Sequence, residues 1–194
     1  MPLILPGMFE FAAPPRTGVR WFVEACHTAG LVSLPSTASV TASYRPWPIT
    51  ASADSLRVSL VRHPCHWFRS LYDSLRFGLH LECVALEQLR EQFVGLRKES
   101  FESFALDYLE KMPGKITSVF DSYKSDIRIK LEDMPWALAE LLNSLDAKKR
   151  ELHKVFSLPS IGRLPSMCKS KWKAPLFDQM IEAEKQFCED LDYY

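Results

Sequence analysis

Three stretches of the sequence carry residue types suited to holding an anion. In "FAAPPRTGVRWFVEAC", residues 11–26, an apolar run enters a Pro-Pro-Arg-Thr-Gly turn and then an amphipathic helical pattern. Unbonded amides at a helix start donate to anions, a glycine lets backbone approach closely, and the arginine fork matches phosphate or sulfate oxygens. Arg16, Thr17, Gly18 and Arg20 are the candidates there. In "VRHPCHWFRSLYDSL", residues 61–75, Arg62 ends a strand-like run, and Ser70 lies eight positions on in a helix opened by Pro64. The third stretch, "CKSKWK", is a basic loop with Lys169, Lys171 and Lys173. GxxxxGK[ST] does not occur, so the first turn is not a Walker A loop. His63, Cys65 and His66 do not converge at a strand-to-helix turn, so no metal site is expected.

The elements that must position these residues read as alternating strand and helix. Residues 8–13 form a first strand and 18–30 a helix, with Trp21, Phe22, Ala25 and Ala29 at helical spacing and Gly30 as its stop. A Ser/Thr/Pro-rich stretch follows, with a short strand expected at 39–43. Leu56–Val61 is β-branched enough for a second main strand. Helices are expected at 65–77, 84–97 and 101–111, an alternating strand at 126–133, and helices at 135–155 and 175–191. Strand, crossover helix and strand imply a parallel sheet with helices on both faces, in which ligands sit at the carboxyl ends of the strands.

Composition limits the alternatives. With 194 residues and 47% hydrophobic content, the chain is expected to be a single domain spanning 1–194. Its 24 basic and 24 acidic residues cancel, so no global field draws it to nucleic acid or to a membrane, and any anion site must be local. The five cysteines, Cys26, Cys65, Cys83, Cys168 and Cys188, are scattered without CxxC spacing. They read as reduced thiols of a cytoplasmic protein. "MPLILPG" is too short and lacks the basic start of a signal peptide, and no apolar run reaches membrane-spanning length.

"PPRTGVRWF" and the Arg-His-Pro turn followed by Ser70 together resemble the sulfotransferase superfamily. Members of that family use 3′-phosphoadenosine 5′-phosphosulfate (PAPS) as donor and release 3′,5′-adenosine bisphosphate (PAP). The likeness extends to "IRIKLEDMPWALAELLNSL", similar to the family's late strand and helix, and to "KSKWK", similar to its carboxyl-terminal basic loop. It is poorest over 31–55 and 78–115. The resemblance implies a three-layer α/β fold of P-loop-like type and in-line, metal-independent transfer of a sulfuryl group. The acceptor would be a hydroxyl or amine on a small molecule, glycan or peptide. A non-catalytic nucleotide-binding relative is the alternative, and a P-loop kinase a more distant one.

Carried over by position, the resemblance gives Arg16 the sulfuryl oxygens and the leaving phosphate. Thr17, Gly18, Val19 and Arg20 supply the rest of the phosphosulfate loop. Trp21 matches an aromatic that lies against adenine, although its helical spacing also suits a core role. Arg62 and Ser70 would take the 3′-phosphate, with Lys169, Lys171 and Lys173 closing over it. Two departures stand out. Val19 and Arg20 replace two hydroxyl residues after the glycine, and "ASYRP" puts Tyr44 where cytosolic members have a catalytic histidine. The base that takes the acceptor proton is therefore open between Tyr44, whose ordinary titration near 10 needs a lowering cation such as Arg45 or Arg16, and His27, three residues after Glu24.

Overall fold

The computed structural model describes residues 3–5, 9–31, 44, 56–77, 84–144, 152–159 and 170–194. The chain divides into two compact units, Met1–Val61 with Ser122–Arg163, and Arg62–Asp121 with Leu164–Tyr194. Each is assembled from two separated stretches.

The first unit holds a four-stranded sheet in the order β1 (Leu3–Leu5), β2 (Phe9–Phe11), β3 (Arg57–Val61), β4 (Ile127–Lys130). β2, β3 and β4 run parallel, so the molecule is α/β as expected. The sheet is not wholly parallel, however, because β1 pairs antiparallel with β2. Only three residues separate them, too few for the crossover that a parallel pair requires. The main strands match the sequence pattern but are shorter. The expected strand at 126–133 stops at Lys130 and tightens into a 3-10 turn, Leu131–Asp133. The strand expected at 39–43 lies outside the described residues.

Register explains one face of the sheet. Phe11 pairs with Val58 and Val58 with Ile127, while Leu60 pairs with Ile129, so these side chains line up in rows. They form an apolar cluster with helix α1 (Val19–Thr28). Leu138, Leu141 and Leu142 of α6 (Trp136–Ser144) and Val155 of α7 (Leu152–Val155) complete it. Phe22 of α1 stacks on Phe11 at 3.9 Å between ring centres and meets Phe9 edge-on. β3 is buried on both sides of its pleat, including Ser59. The Ser59 hydroxyl is satisfied by Ser125 Oγ at 2.8 Å, which in turn donates to the Ile127 carbonyl. Gly30, at φ +75°, ends α1 as read from the sequence. Its amide donates to the His27 carbonyl and that of Leu31 to Cys26, closing the last turn.

The second unit is helical: α2 (Pro64–Phe77), α3 (Val84–Gln92), α4 (Phe101–Lys111), α5 (Lys115–Asp121), α8 (Ala174–Ala183) and α9 (Lys185–Asp190). Phe68 is its centre, with ring centres of Tyr108 at 4.7 Å and Phe104 at 4.8 Å and further contacts to Phe93, Phe101 and Trp172. The helix expected to reach residue 97 ends at Gln92, after which Phe93 and Leu96 turn inward. There the backbone amide and guanidinium of Arg97 donate to the buried Asp107.

The helix expected over 175–191 is broken at Glu184, and α5 is not among the elements expected from the sequence. The two meet at Glu184. The buried Glu184 carboxylate accepts from the amides of Gly114 and Thr117 and from the Thr117 hydroxyl, capping α5 from a distance of some seventy residues in sequence. It also accepts from the Tyr108 hydroxyl, which receives the Ile116 amide. Burial, with the Glu184 charge beside it, pushes the Tyr108 phenol well above its ordinary range.

Candidate functional site

The chain leaves β2, β3 and β4 at one edge of the sheet, because the three strands are parallel. The opening turn follows β2. Ala12 to Pro15 are buried, and the Ala12 amide donates to the Val58 carbonyl, which anchors the turn to β3. Two residues then take positive φ, Arg16 at +72° and Gly18 at +93°. Such turns of left-handed backbone point successive amides toward a common point. Gly18 is the N-cap of α1, where it contributes no side-chain cap and the first helical turn holds no acidic residue. No carboxylate of its own first turn therefore offsets the positive end of α1.

The turn departs in detail from a simple anion cradle. Thr17 is fully buried, and its hydroxyl donates to the Pro14 carbonyl at 2.7 Å, so its hydrogen braces the turn from within. Gly18 faces Leu131, and a Cβ there would stand 2.6 Å from Leu131 Cδ1. Val19 is buried in the core, Arg20 is exposed, and Trp21 is half-buried against the apolar cluster of the sheet.

The two base candidates sit in different surroundings. His27 lies in the last turn of α1, 3.8 Å from Glu24 and half-exposed. Nine residues at helical rise put it about 13 Å along the axis from Gly18. Tyr44 packs against the apolar cluster, and its carbonyl accepts the Tyr123 hydroxyl at 2.6 Å. Arg45 lies outside the described residues.

Arg62 follows Val61, the last residue of β3, and is half-buried. His63 precedes the first residue of α2, and its Nδ1 accepts the Cys65 amide at 3.2 Å. An accepting Nδ1 carries no proton, so a neutral ring in this arrangement is protonated at Nε2. The ring packs against His66, Phe177 and Tyr193. Ser70 is buried in α2.

The basic loop belongs to this second group, a relation that sequence spacing does not reveal. Ser170 donates from its hydroxyl and amide to Asp73 Oδ1, at 2.7 and 3.3 Å. The Trp172 indole donates to the Cys65 carbonyl at 3.1 Å. Asp73 and Cys65 bracket Ser70 along α2, so the 170–172 segment runs beside the stretch of helix that carries it. Lys171 is exposed between the two anchors. Lys173, another residue of the expected anion group, pairs with Glu102, both side chains being exposed, and Lys169 lies outside the described residues.

Among the described residues, no group of three or more His, Cys, Asp or Glu side chains is arranged to hold a metal ion, and no helix is long and apolar enough to cross a membrane. No protein-family model matches the chain, and neither curated proteins nor solved structures give a match.

Proposed function

We propose that the protein binds PAPS and transfers its sulfuryl group to a hydroxyl or amine acceptor, on a three-layer sulfotransferase-like fold. The observation that carries this reading is the β2–turn–α1 junction. Arg16 and Gly18 both adopt left-handed backbone, and the start of α1 receives no side-chain cap from Gly18 and no acid in its first turn. That junction suits an anionic group at the helix start, with Arg16 beside it. In the proposed chemistry the bond from sulfur to the 5′-phosphate oxygen breaks as the acceptor oxygen or nitrogen bonds to sulfur. The acceptor proton passes to a base and PAP departs. Arg16 and the turn amides stabilise the charge that grows on the sulfuryl and phosphate oxygens. Arg62, Ser70 and Lys171 are assigned to the 3′-phosphate by their positions in the motifs.

A second reading, a non-catalytic relative that binds the nucleotide, is favoured by a specific observation. Of the two base candidates, His27 stands at the far end of α1 from the turn, and Tyr44 packs against the apolar cluster.

Calorimetric binding of PAP, adenosine monophosphate and ATP separates these possibilities from a kinase. Both sulfotransferase-like readings require PAP to bind most tightly, and preference for ATP overturns them. Transfer of labelled sulfate from PAPS to a panel of hydroxyl and amine acceptors then divides enzyme from binder. Tyr44→Phe and His27→Ala test the base: loss of turnover with PAP binding retained identifies it.

A further inference from the structure

We propose that Asp73 is a positioning residue that holds the 170–172 segment against α2 and so sets Lys171 for the 3′-phosphate, an inference that rests on the PAPS reading above. Asp73 is 1% exposed, yet the hydrogen bonds that engage its carboxylate here come from Ser170, a residue almost one hundred positions away. A buried carboxylate is costly unless bonded, so the segment and the carboxylate stabilise one another. Asp73 lies three residues beyond Ser70, and positions three apart are neighbours on a helix surface. The first anchor of the segment is thus beside Ser70. The second, the Trp172 indole on the Cys65 carbonyl, lies toward the start of α2, where Arg62 and His63 lead in. Phe101 meets the Trp172 ring edge-on at 4.7 Å and fixes that end further. Only two bonds of backbone freedom per residue remain between the anchors, which confines Lys171 to one short stretch of the helix.

A carboxylate near a phosphate site repels its ligand, and this gives the proposal a test of sign. If Asp73 merely contributes charge, Asp73→Ala tightens PAP binding. If it positions the segment, Asp73→Ala weakens PAP binding by about tenfold, as expected for loss of hydrogen bonds to a charged acceptor. Adenosine monophosphate, which lacks the 3′-phosphate, should bind the variant as it binds the unaltered chain. Asp73→Asn keeps an acceptor oxygen without the charge and should retain PAP affinity. Ser170→Ala, a smaller change, should weaken PAP binding in the same direction. Amide hydrogen exchange provides a readout independent of ligand: exchange at Ser170 and Lys171 should accelerate in Asp73→Ala and stay slow in Asp73→Asn. Unchanged or tighter PAP binding in Asp73→Ala, or unchanged exchange, overturns the proposal. Equal affinity of the unaltered chain for PAP and adenosine monophosphate overturns the PAPS reading itself, and is seen before any variant is made.

Discussion

Leu131 lies over the α-carbon of Gly18, so close that a Cβ on Gly18 would meet Leu131 Cδ1 at 2.6 Å. The contact joins the carboxyl end of β4 to the opening turn, and it gives the glycine two separate reasons to be there. One is the left-handed backbone at φ +93°, and the other is the neighbour.

Gly18→Ala is therefore expected to destabilise the fold by about 1–2 kcal/mol through backbone conformation alone. The far end of a leucine can move aside, so the clash adds little. Chemical denaturation of Gly18→Ala and of Gly18→Ala with Leu131→Ala checks this division. The two substitutions should be close to additive if conformation dominates, and strongly coupled if the clash does.

Arg62→Ala should cost on the order of 2–5 kcal/mol in PAP binding if the guanidinium meets a desolvated 3′-phosphate. The loss should shrink for adenosine monophosphate. Equal losses for the two nucleotides in parallel titrations would assign Arg62 to the fold alone.

Acid stability should depend on Asp107. The Arg97 side chain and amide and the Lys111 ammonium hold its carboxyl well below the usual carboxylate range. A group depressed on folding contributes stability that is fully present above its unfolded value, about 4, and is lost as pH falls toward the folded value. The stability difference between the unaltered chain and Asp107→Asn should be constant from pH 5 to 8 and should diminish steadily below about pH 4. Denaturant midpoints measured across that range test it.

Native thiol chemistry should be slow at three of the five cysteines. Cys26, Cys65 and Cys188 are buried, and burial raises each thiol. Cys188, with Glu184 and Glu189 adding to the effect, is pushed up to about 11. Thiolate is the reactive form. A thiol reagent at neutral pH should modify these three only on unfolding, and rapid labelling of any of them in the folded chain, located by peptide mapping, would contradict the burial described.

The features legible in the chain alone are local. The β-branched content of Leu56–Val61, the helical spacing of Phe22 and Ala25, and Gly30 as a stop each involve neighbours within about one turn or one pleat. The strand–turn–helix around Arg16 and Gly18 was legible for the same reason. The tertiary structure alone decided which distant groups meet. The Glu184 carboxylate caps α5, Leu131 occupies the space above Gly18, and Ser170 and Trp172 tie the basic loop to α2 while Lys173 pairs with Glu102. These partners stand tens of residues apart, where periodicity carries no information. Burial then selects them, because a buried carboxylate or carbonyl must find a donor wherever the folded chain brings one.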